Sequence, residues 1–197
     1  MVWLEVETKI NVYRPASMRK KIKKIANFEK KQKKGDDYFA LRNNHKYPKK
    51  AFRLRHKPDK IEVNFKKWMK RYWTKYIVVK QEFEFELKGK EQAGDMLALF
   101  KDLGFREWMK KRKTSEKYTW KKDKKMHIEL NKVEHLGWYV EIEYLCPKKE
   151  LQKAKKKIMQ VLDELEINKE HIDNTGYTKM LWDRGIRDKR FFMENNK

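Results

Sequence analysis

A single cysteine, Cys146, stands in 197 residues, so no disulfide framework can hold this chain. No apolar run approaches the roughly 18 residues that a membrane-spanning helix needs. The opening MVWLEVETKI is neither a basic patch nor an apolar stretch, so no secretory signal is expected. The expectation is a cytoplasmic protein with no membrane partner. Seven glycines and four prolines leave few positions to punctuate the chain, and no Gly/Ser/Pro-rich linker or fixed-period repeat divides it. One domain over 1–183 is expected, followed by a loosely ordered tail over 184–197. Acids are scarce beside bases, 29 against 52, for a formal charge of +23. His45, His56, His127, His135 and His171 lack zinc spacing, and one cysteine cannot complete such a site. A glycine-rich phosphate loop and a Gly-x-Ser-x-Gly elbow are both missing.

Aromatic residues are plentiful: 7 Trp, 9 Tyr and 10 Phe offer too much apolar area to leave in water, which excludes a disordered chain. The charge excess points to a polyanion, whether nucleic acid, a phosphorylated small molecule or an anionic membrane. Lysines outnumber arginines 41 to 11, however. Lysine is a hydrated point charge and a common solvated surface residue, whereas bidentate phosphate readers are usually arginine. Charge alone leaves the function open.

Hydrophobic periodicity gives the elements. Leu4, Val6, Thr8 and Ile10 alternate with Glu5, Glu7 and Lys9, which predicts a strand over 2–12. Pro15 heads a helix carrying Met18, Ile22 and Ile25 as far as Phe28. The run EKKQKKGDD over 29–37 reads as a solvated turn. Alternating segments follow over 38–42, 51–57, 60–68 and 73–88, with Asp59 and Lys60, after Pro58, as a hairpin turn. A helix over 90–103 stops at Gly104. Strands over 105–120, 126–133 and 138–144 follow, the last two joined by a turn at His135-Leu136-Gly137. A helix over 148–165 and a short segment over 177–182 close the chain. About eight strands and two or three helices with short connections predict an α+β fold dominated by antiparallel sheet.

The strands carry charge in an unusual way. Glu5, Glu7 and Lys9 share one side of the first strand. Arg53 and Arg55 lie together, opposite Phe52 and Leu54. Lys66 lies opposite Val63 and Phe65. Glu82, Glu84 and Glu86 lie opposite Phe83, Phe85 and Leu87, Lys110 pairs with Arg112, and Glu141 and Glu143 lie opposite Val140 and Ile142. An antiparallel sheet with one wet face also alternates charge with apolar residues. A merely solvated face would mix signs for cross-strand pairing, whereas of the five strands with two or more of these charges two carry only acids, two only bases and one both. Curling the sheet into a barrel would turn these faces into a lining and put the apolar faces outward, beneath the helices. Acids would then suit divalent cations, and bases would suit phosphate.

Glu5-x-Glu7-x-Lys9 near the N-terminus resembles the signature of the CYTH superfamily, the triphosphate tunnel metalloenzymes. Phe52-Arg53-Leu54-Arg55 is similar to that family's paired-arginine strand, Val63-Asn64-Phe65-Lys66 to its phosphate-lysine strand, Lys80-x-Glu82-x-Glu84 to its central acidic strand, and Lys110-x-Arg112 to its Lys-x-Arg strand. Ile128-x-Leu130-Asn131-x-Val133-x-x-Leu136-Gly137-x-Tyr139-Val140-Glu141-Ile142-Glu143 is the longest match, and Tyr177 with Leu181 resembles the closing segment. Asn131 stands where the family usually has Asp, and Asn64 where it often has Thr.

The resemblance implies an eight-stranded antiparallel β-barrel, a tunnel, with helices packed outside. It implies Mg²⁺ or Mn²⁺ as cofactor, with Glu5, Glu7, Glu82, Glu84, Glu141 and Glu143 as metal ligands. Lys9, Arg53, Arg55, Lys66, Lys110 and Arg112 would bind phosphate oxygens, and Glu5, Glu7, Lys9 and Glu143 would form the catalytic set. Three functions follow: a triphosphatase acting on tripolyphosphate or an organic triphosphate, a class IV-type adenylyl cyclase, or a non-catalytic binder of RNA or polyphosphate. The basic, aromatic segment KKWMKRYWTKY over 66–76 reads either as a solvated connection with packing aromatics or as a nucleic-acid contact.

Overall fold

The computed structural model describes residues 3–41, 46–57 and 60–186. Eight strands, β1 (Trp3–Asn11), β2 (Ala26–Leu41), β3 (Ala51–His56), β4 (Ile61–Trp68), β5 (Val78–Leu87), β6 (Phe105–Trp120), β7 (Met126–Val133) and β8 (Gly137–Pro147), form a closed antiparallel barrel in the order β1-β5-β4-β3-β2-β6-β7-β8. The α-helices are α1 (Pro15–Ile25), α2 (Gly89–Asp102), α3 (Leu151–Glu164) and α4 (Tyr177–Asp183). The described residues group into two compact units, one of Met1–Lys33, Lys67–Glu82 and Lys113–Thr175, the other of Lys34–Lys66, Phe83–Arg112 and Gly176–Lys197.

In the first unit the even-numbered side of β1 (Leu4, Val6, Ile10) joins Ile128 and Leu130 of β7 and Val140 and Ile142 of β8 in an apolar face. Helix α3 covers it with Ala154, Ile158, Val161 and Leu162, and α1 adds Ile22. Each of these Leu, Ile and Val side chains contributes roughly 1.5–3 kcal/mol on burial. Pro15 stands at the start of α1, where its missing N–H costs no helical hydrogen bond. Positive φ at His135 (64°) and Gly137 (102°) makes the tight β7–β8 turn, as the sequence predicts.

In the second unit Phe39, Phe52, Leu54, Ile61 and Val63 form the apolar face, and Ala93 and Leu97 of α2 cover it. Gly104 ends the α2 segment at φ 92°, in the left-handed region that favours glycine. Lys57 N–H donates to the Lys60 carbonyl at 2.9 Å and so brings β3 back into β4. The expected turn residues Pro58 and Asp59 lie outside the described residues, as do Arg42 and 187–197 of the expected tail.

Three expectations are corrected. The run 29–37 is strand, not turn: β2 starts at Ala26 and runs through it. Its lysine-rich half shows no period of two because it is held by its neighbour β6, through Phe28 stacked edge-on against Tyr118 at 5.4 Å and Glu29 paired with Lys117 at 3.2 Å. The strand expected over 73–88 starts only at Val78. Before it, the Thr74 hydroxyl accepts from the N–H groups of Tyr76 and Ile77, which folds the chain locally instead of into the sheet. The apolar side of β5 is not wholly beneath a helix, since Phe83 and Phe85 are 45% and 52% exposed.

Candidate functional site

Strand register sets the first unit's polar face. Glu7 stands directly opposite Glu143 across the β1–β8 pair, and Glu129 directly opposite Glu141 across β7–β8. Like charges in that position repel, so each pair needs a cation to hold it. Lys113 supplies one for Glu129 and Glu141, at 3.0 and 2.9 Å. Burial pulls the Lys113 ammonium down, but Glu141, Glu129 and Glu143 outweigh it and hold it above its ordinary value.

Glu5, Glu7 and Glu143 bring one carboxylate oxygen each within 4.8 Å of one another. Glu5 and Glu7 are buried and Glu143 half-buried. Lys80 of β5 pairs with Glu7 and lies 3.6 Å from Glu5, and its ammonium sits 4.8 Å above the Trp68 ring. Three oxygens converging in this way could serve as donors to a hard divalent cation.

Lys9 is buried on the same face. Its side chain donates to the Thr175 carbonyl, and its backbone N–H donates to Asn174 Oδ1 at 2.8 Å. Burial lowers the Lys9 ammonium to about 8, against the pull of Glu141, Asp173 and Glu7. Asn131 is committed on both sides of its amide. Its oxygen accepts from Ser115 Oγ and its nitrogen donates to Glu141 at 2.7 Å, so it orients Glu141.

The second unit gathers bases around two buried acids. Asp36 stands opposite Arg55 in the β2–β3 register, and Arg55 grips it with two donors at 2.7 and 3.1 Å. Lys111 approaches Asp36 at 2.9 Å and Arg53 at 3.7 Å. Burial pushes the Asp36 carboxyl up, but Lys111, Arg53 and Arg55 hold it well below the usual carboxylate range. Glu62 meets Arg53 at 3.3 Å and Arg55 at 3.5 Å. Lys66 lies two residues beyond Asn64 on the same side of β4, and Asn64 donates to Glu84 at 3.1 Å.

The structure therefore joins Glu5, Glu7 and Glu143 in one cluster, sets Glu141 beside Lys113, and keeps Glu84 exposed on Asn64. Glu82 is half-buried, two residues from Lys80 on one side of β5. Lys110 and Arg112 depart from expectation. Arg112 is exposed, and Lys110 reaches Asp37 at 3.5 Å; the buried neighbours are Lys111 and Lys113. Trp108 touches Tyr38 at 6.1 Å between rings, and Lys111 touches Asp36, which shares Tyr38's side of β2. Residues three apart on β6 thus share a face. This one-residue slip, of the kind a β-bulge makes, moves the basic pair from 110/112 to 111/113.

Sequence reasoning missed Asp36, Glu62, Lys113, Ser115 and Glu129. The alternation Tyr38, Ala40 carried back by two residues would have found Asp36. Alternation across 127–131 would have found Glu129.

A CYTH domain family model matches residues 4–177. No curated protein sequence matches the chain. The Pyrococcus horikoshii protein PH1819 is similar in structure at a TM-score of 0.73 and 26% identity, over 91% of this chain and 99% of its own. PH1012 from the same organism gives 0.70 and 26%, over 89% and 98%. HpAC1 from Hippeastrum, described as having a dominant triphosphatase activity, gives 0.62 and 15%, over 98% and 99%.

Proposed function

The chain belongs to the CYTH domain family, and on that premise we propose that it is a Mg²⁺- or Mn²⁺-dependent hydrolase of triphosphate compounds. The observation that carries this reading is the convergence of Glu5, Glu7 and Glu143 within 4.8 Å. Lys80 neutralises part of this charge, and the third carboxylate leaves room for a further cation beside it. The dominant triphosphatase activity ascribed to HpAC1 favours hydrolysis over cyclisation.

Glu5, Glu7 and Glu143 would hold the cation. When bound, it would neutralise phosphate charge and lower the pKa of a coordinated water. The other residues act by position and charge. Lys113 and Asn131 hold Glu141 by hydrogen bonds opposite Lys9 in the strand register. Lys9 offers a buried ammonium to phosphate. Arg53 and Arg55 are locked by Asp36 and Glu62, so their forks are ordered before substrate arrives, as bidentate phosphate binding rewards. Lys66 joins them in the proposed phosphate-binding set. The basic pair of β6 in that set is Lys111 with Lys113, in place of Lys110 with Arg112. Glu82 and Glu84 are assigned supporting roles toward the cation. Preorganised charge of this kind supplies most of the catalysis in phosphoryl transfer.

The test is product analysis. Purified protein is incubated with tripolyphosphate and, separately, with ATP, with Mg²⁺, Mn²⁺ or EDTA, and both phosphate and cyclic AMP are measured. Phosphate release from tripolyphosphate that EDTA abolishes is the expected result. Cyclic AMP with pyrophosphate from ATP would replace the hydrolase by a cyclase, and no turnover with either metal would leave only a binding protein.

A further inference from the structure

The polar face of the first unit sets two acidic groups side by side. Besides Glu5, Glu7 and Glu143 it holds Glu129 and Glu141, both buried and directly opposite each other across the β7–β8 pair. Opposed carboxylates of either group suit a divalent cation, which takes oxygen ligands. The two groups differ in how their charge is already answered.

At Glu129 and Glu141 the place of a cation is filled. The Lys113 ammonium meets Glu129 at 3.0 Å and Glu141 at 2.9 Å, and is itself buried. The Glu141 oxygen that it meets also accepts from Asn131 Nδ2 at 2.7 Å. Ser115 Oγ donates to the Asn131 oxygen, so the one side-chain atom of Asn131 able to ligate a metal is turned to Ser115. Lys9, also buried, stands opposite Glu141 across the β1–β8 pair, so two carboxylates face two ammonium groups. A divalent ion entering here would have to displace Lys113 and leave a buried ammonium without its acids, a costly exchange. At the other group, Lys80 reaches Glu7 and lies 3.6 Å from Glu5, but one ammonium cannot cancel three carboxylates.

From this arrangement we propose that Lys113 is a built-in cation. It fills the place that a second divalent ion would take, and the chain binds one divalent cation, at Glu5, Glu7 and Glu143, rather than two. The location of that one cation rests on the hydrolase reading above; the exclusion of a second rests on Lys113. Part of the positive charge offered to phosphate is then fixed in the fold and does not depend on the supply of metal.

The test is a Mn²⁺ titration of the full chain in phosphate-free buffer at neutral pH, with unbound Mn²⁺ read by electron paramagnetic resonance. The wild type should bind one Mn²⁺ per chain. Glu129→Gln leaves Lys113 on Glu141, and should keep the count at one and the affinity within about twofold. Lys113→Met, neutral and of similar length, should raise the count to two. Circular dichroism shows whether each variant is folded, and Glu129→Gln decides the question if Lys113→Met is not. Two Mn²⁺ per wild-type chain, or the loss of an ion or of about tenfold in affinity in Glu129→Gln, would overturn the proposal and leave the metal-dependent reading standing. A folded Lys113→Met chain that still binds one ion would overturn it in the same way. No Mn²⁺ on the wild type, or binding unchanged in Glu7→Gln, would instead remove the cation site of the hydrolase reading, and the proposal with it.

Discussion

Lys80 donates to Glu7 across the β1–β5 pair, so the acids of β1 are held together by a lysine from the neighbouring strand. The ammonium sits where it neutralises Glu7 and approaches Glu5 at 3.6 Å. Lysine and the proposed divalent cation would thus answer the same repulsion. Replacing Lys80 with Gln should lower stability in EDTA by about 3–5 kcal/mol, the cost of leaving a buried charge unpaired. Added Mg²⁺ should recover more of the melting temperature in this variant than it adds to the wild type. Thermal melts with and without Mg²⁺ check this, and equal shifts in both proteins would contradict it.

Asp36 performs the matching task in the second unit, with the signs reversed. Its folded-state carboxyl is held well below the ordinary range by Lys111, Arg53 and Arg55 despite burial. The stability it contributes is therefore fully present above the unfolded value of about 3.9 and drains away as pH falls through the lower folded-state value. Asp36→Asn should cost about 3–5 kcal/mol at neutral pH. It should also flatten the fall of melting temperature with pH below about 4, because the unfolded state no longer gains a proton there. Melting temperatures between pH 2 and pH 7 for the two proteins test this.

Much of this was readable in the chain. Alternation in 4–10 and 140–143 assigns each residue to its correct face, because those strands are covered by α3 on one side and carry charge on the other. The paired arginines and the Glu-x-Glu runs follow directly. The lysine-rich half of β2 was hidden because strand pairing, not a buried face, holds it, and pairing leaves no period in the sequence. Lys111 and Lys113 were hidden because β6 changes phase by one residue near Trp108 and Met109, where two buried residues stand side by side. A strict period of two carries no sign of such a slip.

The slip makes its own prediction. Lys111→Ala removes a cation from Asp36 and from the proposed phosphate-binding set, and should reduce kcat/KM for tripolyphosphate at least tenfold. Arg112→Ala, one residue on and exposed, should stay within twofold and within about 0.5 kcal/mol in stability. Steady-state kinetics and urea melts of the two variants decide between the registers.

Asn131 bridges Ser115 and Glu141 with both ends of its amide. Asp at this position would exchange the donated hydrogen bond for a second carboxylate facing Glu141. Asn131→Asp should therefore destabilise the metal-free protein by about 1–3 kcal/mol, the range for a buried polar group left without its partner. Mg²⁺ should restore a larger part of that loss than it adds to the wild type. Melts with EDTA and with Mg²⁺ measure both quantities.

Turnover, on the proposed function, depends on a cation held by Glu5, Glu7 and Glu143. The most direct measurement is phosphate release from tripolyphosphate by wild type and Glu7→Gln side by side across a Mg²⁺ titration, with far-UV circular dichroism to confirm that both are folded. The wild type should show saturable, EDTA-sensitive turnover and the variant a loss of at least about a hundredfold, consistent with the scale of removing one charge-stabilising group from a catalytic site. A folded Glu7→Gln protein that releases phosphate at the wild-type rate and with the wild-type Mg²⁺ dependence would contradict it.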